Sequence, residues 1–342
     1  MSDLDKLRFE SVDDKSYNKI IQSHPSRSWP IEQSPAWGDF QSRLGGRRHI
    51  GNFVLYSGEE VVATASLLAM SMRGYSYVWI NNGPIILNDS VKTDVLIEAV
   101  KTLVRRHTTD LKPLFIRLSL PVEQSPTKAL KPAYSHSLLE KTTAIDLNLS
   151  EEGILAGMKQ GARRSIRKAE KAGVSIKHFS GDVALEQFSS LYDIMEETAG
   201  RDGFSAHPAK AYEAMLKELG DLARLYVGYN SDNHPVTWAI VTQYQHKAIY
   251  YYGASNAEAR AIMAPYLMHW QIMKDMKASG CKSYDFLGIG SDKYPGLEGV
   301  TQFKLKFGGP VLDYPSVYDL PLNSAKYKLW RTAQAARHKL KH

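Results

Sequence analysis

Two stretches of this 342-residue chain carry the same order of elements, and that repetition limits the folds open to it. In the first, the run Phe53 to Tyr56, a turn at Ser57-Gly58-Glu59 and the run Val61 to Met70 predict a hairpin, and Tyr75 to Ile80 adds a strand. Asn82-Gly83-Pro84 breaks the pattern. Val91 to His107 then reads as an amphipathic helix with Val91, Val95, Ala99 and Leu103 on one face, and Leu114 to Leu118 as a returning strand. In the second stretch, Leu225 to Gly228, Val236 to Gln243 and Ile249 to Tyr252 form a strand meander, Met263 to Ala278 is helical, and Lys282 to Phe286 is a strand. The repetition is one of element order, with no repeat at the level of residues.

A β-β-β-α-β unit present twice predicts an α/β chain with mixed sheets, in two tandem domains of the kind found in acetyl-CoA-dependent N-acetyltransferases, the GNAT fold. Residues 1–141 with 317–342 make the first domain and 142–316 the second, because the chain after Pro315 rejoins the first unit through Val317 to Pro321. Residues 1–50 read as irregular helix and loop. Between the copies lie a strand, Thr142 to Leu149, and two helices, Glu151 to Gln160 and Ala162 to Ala172; Phe179 to Gly203 adds another helix. The final helix, Ser324 to Lys341, mixes Leu329, Trp330, Ala333 and Leu340 with lysines and arginines, a pattern that suits docking on the first domain or lying on an anionic membrane surface.

The formal charge of +7 favours a polyanionic partner: nucleic acid, nucleotide phosphates or an anionic membrane face. Part of that charge is concentrated on the helix Ala162 to Ala172, which carries Arg163, Arg164, Arg167, Lys168 and Lys171 against Glu170 alone. Arg163, Arg167 and Lys171 recur every four residues and so line one face, either a solvated surface or a polyanion site. One cysteine, Cys281, excludes an internal disulfide and fits a reducing compartment. The start MSDLDKLRFE has no apolar core of a signal peptide and the apolar runs are short, so the expected location is the cytoplasm.

The stretch Tyr284 to Gly309, YDFLGIGSDKYPGLEGVTQFKLKFGG, is where chemistry is expected. A strand empties into a glycine-rich turn and then into Phe303, Lys304, Leu305, Lys306 and Phe307, closed by Gly308-Gly309. Such a loop on a rigid sheet can surround a ligand, or it can be a plain hairpin with solvated lysines. A dinucleotide loop is excluded, because Lys293 stands at the third glycine position of a G-x-G-x-x-G motif. The chain has no H-E-x-x-H or C-x-x-C pattern, so no metal is expected, and no G-x-S-x-G elbow or phosphate loop. Coenzyme A would need a glycine-rich turn opening the helix after the second meander. Arg260-Ala-Ile-Met-Ala-Pro265 has none, and no cofactor is expected.

These residues resemble the FemABX family of aminoacyl-tRNA-dependent peptidoglycan branching transferases. The resemblance lies in MKQGARRSIRKAEKAGV (158–174), GRDGF (200–204), YYYGAS (250–255), APYLMHW (264–270), YDFLGIG (284–290) and FKLKFGG (303–309). Fainter echoes in the first half are Gln33-Ser34, Arg43-Leu44 and Asn82-Gly83-Pro84. It covers nearly the whole chain and implies two GNAT-like domains, here in the compact form without a coiled-coil arm. It also implies transfer of an amino acid from a charged tRNA to the side-chain amine of a peptidoglycan precursor, UDP-MurNAc-pentapeptide or lipid II, with peripheral contact at the inner membrane face in reach. On that footing Lys304 and Phe303 face the reacting ester, with Phe303 and Phe307 stacking on the terminal adenine. Arg43, Arg201, Tyr252 and Lys306 hold the precursor, while Arg163, Arg164, Arg167, Lys168 and Lys171 meet tRNA. Lys306 competes with Lys304 for the catalytic place if the segment is extended and diverges from it if helical. His207 stands where the family often has arginine. The acidic residue expected after Gly-Pro is not placed, with Leu87, Asn88 and Asp89 as candidates. Other readings are an acyl-CoA N-acyltransferase of the same fold and a non-catalytic RNA-binding module.

Overall fold

In the computed structural model, which describes residues 7–72, 74–88, 91–120, 126–134, 139–292 and 295–339, Cα packing separates Met1–Leu138 with Pro315–His342 from Leu139–Tyr314. The first unit begins with strand β1 (Leu7–Val12) and helices α1 (Asp14–Ser23) and α2 (Pro35–Ser42). It continues through β2 (Arg47–Ser57), β3 (Glu60–Met72), β4 (Tyr75–Ile80), β5 (Ile85–Ile86), α3 (Thr93–His107), β6 (Phe115–Leu120) and β7 (Lys131–Pro132). Strands β1 to β4 pair antiparallel in sequence order, whereas β4 and β6 run parallel with α3 as the crossover. A parallel pair needs such a crossover, since a hairpin can join only antiparallel neighbours.

Two expectations for this unit are corrected. The stretch read as irregular contains β1, an edge strand whose short Leu7, Phe9 alternation is interrupted by charged residues. The buried face of α3 is Leu96, Ile97, Ala99, Val100, Leu103 and Val104; Val91 precedes the helix and Val95 is only half-buried. A strict four-residue spacing drifts about 40° per step around an α-helix, so Val91, Val95, Ala99 and Leu103 cannot share one narrow face.

The second unit holds β8 (Lys141–Asp146), α4 (Glu151–Gly157), α5 (Gln160–Lys171), β9 (Ser175–Phe179), α6 (Gly181–Phe188), α7 (Tyr192–Asp202) and α8 (Ala209–Leu219). The repeated core follows as β10 (Ala223–Tyr229), β11 (Pro235–Tyr244), β12 (Lys247–Ser255), α9 (Ala257–Ala261), α10 (Ala264–Ala278) and β13 (Ser283–Asp285), then α11 (Glu298–Lys304) and β14 (Val311–Asp313). The single helix expected over 179–203 is therefore two. At the break the hydroxyls of Ser189 and Ser190 donate to the carbonyls of Glu186 and Gln187, competing with helical pairing.

The sheet order β14-β8-β13-β12-β11-β10-β9 matches the first unit step for step: an antiparallel meander, a parallel pair β12–β13 and α10 as the crossover. On the far side of β13 lies antiparallel β8. Its counterpart in the first unit comes from the end of the chain, β15 (Ser316–Pro321), antiparallel to β6. The duplicated mixed α/β architecture is thus present in full.

The last helix, α12 (Ser324–Lys339), docks on the first unit. Tyr327 and Trp330 lie 5.5 and 4.9 Å from the Phe115 ring, and the Tyr327 hydroxyl donates to Asp319 at 2.9 Å. Asp319 in turn holds Arg117 through two buried bonds of 2.8 and 3.0 Å. Leu329 points to solvent at 74% exposure, and Leu340 and Lys341 lie outside the described residues. No described helix is long and apolar enough to cross a membrane.

Candidate functional site

The loop leaving β13 turns sharply at Leu287, a non-glycine residue with φ of 59°. The segment after it is helical. α11 ends at Lys304 and a 3₁₀ turn covers Leu305–Phe307, so the two lysines diverge. Lys306 is half-buried and donates to the Tyr266 hydroxyl at 3.3 Å. Lys304 is 6% exposed; its Nζ donates to the carbonyls of Gly288 at 2.7 Å and Leu287 at 3.3 Å and lies 5.8 Å from the Tyr250 ring centroid. Burial lowers its pKa to about 8, an effect the charge of Asp285 partly offsets. An ammonium has three N–H donors, and two are occupied here. Among the described residues the third has no hydrogen-bond acceptor.

Aromatic rings enclose this lysine's surroundings. His269 on α10 is fully buried, bonds the Tyr284 hydroxyl at 2.8 Å, and has its pKa pushed down to about 3 by burial and then by Lys304. It lies 4.9 Å from Phe286, 5.4 Å from Phe303 and 5.2 Å from Phe307. Phe303 is half-buried, 5.0 Å from Tyr266. Phe307 is only 1% exposed and belongs to the core, which corrects the expectation that it stacks on a nucleotide.

Gly308 and Gly309 fix where this segment lies. Both have positive φ, 88° and 83°. A Cβ at Gly308 would stand 2.5 Å from the Gly157 carbonyl oxygen, and one at Gly309 would fall on the Ala144 carbonyl oxygen. The Lys159 amide donates to the Lys306 carbonyl at 2.9 Å. Backbone is thereby packed directly on backbone from β8 and the end of α4, an approach that only glycine permits.

Other expected site residues of the second unit lie around the C-terminal end of β12. A register shift between Ile240 and Val241 leaves Tyr251 as an extra residue, a bulge of the kind that re-aims side chains. Tyr252 packs edge-on against Tyr212 at 4.9 Å and His207 at 5.9 Å. Arg201, at the end of α7, donates to both oxygens of Asp202 at 2.7 and 2.8 Å and to the Ser255 carbonyl at 2.6 Å. Of its five N–H groups, two have no acceptor among the described residues.

On α5 the expected face is corrected. Ala162, Ile166 and Ala169 are the buried side, so the outer stripe is Arg164, Arg167, Lys168 and Lys171, all exposed. Arg163 sits on the flank and turns back, donating to the carbonyls of Leu155, Ala156 and Met158 at the end of α4. It caps a helix.

Arg43 belongs to the first unit, at the exposed C-terminal end of α2. The other first-half echoes pack on one another: the Gln33 amide donates to the Asn81 carbonyl at 2.7 Å and accepts from the Ser66 amide at 2.8 Å. It fills the space a side chain at Gly83 would need, and Ser34 caps α2. Of the candidate positions after Gly-Pro, Leu87 is buried, Asn88 bonds Glu60 at 2.7 Å and Asp89 lies outside the described residues.

Two tandem units, each with an antiparallel meander and a helix crossing to a parallel strand, define the acetyltransferase-like fold in its double-domain form. FemX, with TM-score 0.80 and 17% identity over 95% of this chain and 100% of its own, has this fold. So does a tandem GNAT protein from the clavulanic acid biosynthesis pathway, with TM-score 0.52 and 12% identity over 92% and 98%. The profile of the FemAB family matches residues 128–231 and 229–335. The chain belongs to the FemAB family. The aminoacyltransferase FemA of Staphylococcus epidermidis is 27% identical over 88 residues, 25% of this chain and 21% of that protein, so the match spans about a fifth of the relative's length.

Proposed function

We propose that this protein is an aminoacyltransferase that moves an amino acid from the 3′ ester of a charged tRNA to the side-chain amine of a peptidoglycan precursor. The observation that carries the reading is the buried Lys304 ammonium, held by two carbonyls with one donor to spare beside the half-exposed Phe303. Aminolysis of an ester needs no metal or covalent nucleophile. The amine nitrogen, in its neutral form, attacks the ester carbonyl carbon, whose oxygen becomes an oxyanion; as the carbonyl re-forms, the bond from that carbon to the ribose oxygen breaks, and the proton the nitrogen gives up ends on the departing ribose hydroxyl. An ammonium at the oxyanion stabilises that state more than it stabilises the ester.

In this reading Phe303 lies against the tRNA terminus, while Arg201, Tyr252 and Lys306 of the second unit line the precursor. The location is cytoplasmic, with peripheral contact at the inner membrane face for a lipid-linked acceptor. An acyl-CoA donor fits less well, because α10 opens with Met263-Ala264-Pro265 and offers no glycine turn for a pyrophosphate. The test is to incubate the protein with a mixture of charged tRNAs and either precursor, then weigh the products. The expected product is a precursor heavier by one amino-acid residue, formed only when the tRNA is intact; a mass gain from acyl-CoA instead would reverse the assignment.

Reversing Arg164, Arg167 and Lys171 to glutamate should weaken tRNA binding and flatten its dependence on salt, by about one unit of slope for each phosphate no longer neutralised. Precursor affinity should be unchanged. Filter binding across a salt series checks this, and equal affinities at moderate salt would remove the stripe from the tRNA site. Arg163→Ala should instead lower thermal stability, since it uncaps α4.

Arg201→Ala should raise the precursor KM by roughly 10- to 100-fold, the loss of a charge-assisted bond, with the tRNA KM little changed. Asp202→Asn should lower the precursor KM, because it frees the arginine fork and removes a like charge from a diphosphate. A loss confined to the tRNA side would exchange the two substrate sites.

A further inference from the structure

We propose that Asp285 is a positioning residue for the Lys304 ammonium: its carboxylate holds the left-handed turn at Leu287 that aims two carbonyls at Nζ. The inference rests on the reading of Lys304 as the cation of the transfer site.

Asp285 ends β13 and is 1% exposed. One oxygen accepts the Leu287 amide at 2.8 Å and the Thr142 hydroxyl at 2.5 Å, and lies 3.5 Å from the Tyr314 hydroxyl. The other accepts Lys247 Nζ at 2.7 Å. A carboxylate bonded to the amide two residues on closes a turn. Leucine with φ of 59° is strained by about 1–2 kcal/mol and persists only where its surroundings impose it. Here the imposing group is Asp285, helped by the Thr142 hydroxyl, 3.1 Å from the Leu287 carbonyl oxygen. The same turn presents the Leu287 and Gly288 carbonyls to Lys304.

Among the described residues, the other titratable groups around Lys304 carry no compensating charge. His269 on α10 is neutral, the Tyr250 phenol on β12 is pushed up to about 12, and the Tyr284 phenol on β13 is raised further by burial. Lys306 is turned to Tyr266, and Lys247 acts through its pairing with Asp285. Burial lowers the Lys304 pKa and the Asp285 charge offsets part of that, while Lys247, paired with Asp285 from the half-exposed side, moderates the offset.

The experiment is the pH profile of kcat with both substrates saturating, for wild type, Asp285→Asn, Lys247→Met and Lys304→Met. Wild type should show an inflection near pH 8 that reports Lys304. Asp285→Asn removes the stabilising charge, so the inflection should move down by roughly half a unit or more, with kcat reduced and both KM values little changed. Lys247→Met leaves Asp285 unpaired and should move the inflection up. This second, more exposed substitution decides the matter if Asp285→Asn does not fold. An inflection fixed in both variants would overturn the inference, even with kcat reduced, and leave Asp285 a structural residue. If Lys304→Met keeps both turnover and the inflection, it is the reading of Lys304 itself that fails.

Discussion

Lys304→Met should cut kcat by about 10²- to 10³-fold while both substrates still bind, the loss expected for one oxyanion donor. Methionine fills nearly the same volume, and its sulfur replaces an ammonium that burial already destabilises, so the fold should hold. The carbonyls of Leu287 and Gly288 lose a donor, a cost that appears in stability and not in substrate affinity. Lys306→Met should have a far smaller effect on kcat, because its ammonium lies on a different side of the helical turn, against Tyr266. Steady-state kinetics on the two variants separates them. Turnover of Lys304→Met above about a tenth of wild type would transfer the role elsewhere.

Gly309→Ala should destabilise the second unit by about 2–4 kcal/mol, combining backbone strain at φ of 83° with a Cβ placed on the Ala144 carbonyl oxygen. The neighbour is strand backbone in β8 and cannot yield as a flexible side chain would. Since this glycine anchors the segment carrying Lys304, turnover of the folded fraction should fall as well. Gly299→Ala is the internal contrast: it sits within α11 with nothing within 4 Å of an added Cβ. Alanine should there be neutral or stabilising by about 0.5–1 kcal/mol. Thermal unfolding of both variants checks the opposite signs, and equal melting temperatures would show that Gly309 is not a packing constraint.

The fold was legible because its strands are long alternating or apolar runs punctuated by strong turns, as at Ser57-Gly58-Glu59, and because one element order occurs twice. The FKLKFGG segment was less so. Its apolar-charged alternation fits a strand as well as a turn of helix, and the choice is made by Gly308 and Gly309 packing on β8 and α4, elements far away in sequence. On α5 the spacing of the charges pointed to Arg163, but the buried Ala162, Ile166 and Ala169 set the outward direction. Centring the face on the apolar residues would have excluded Arg163. Asp285 carries no sequence signal, because nothing in YDFLG announces that a leucine will adopt the left-handed conformation.

The most direct measurement is a single-turnover transfer, with the protein in excess over a tRNA charged with a labelled amino acid and precursor present. Label is expected to leave the tRNA and appear on the precursor amine one for one, rapidly with wild type and about 10²- to 10³-fold more slowly with Lys304→Met. Label that stays on the tRNA with every charged species tried, or that reaches the precursor equally well from a coenzyme A thioester of the same amino acid, would contradict the proposed reaction.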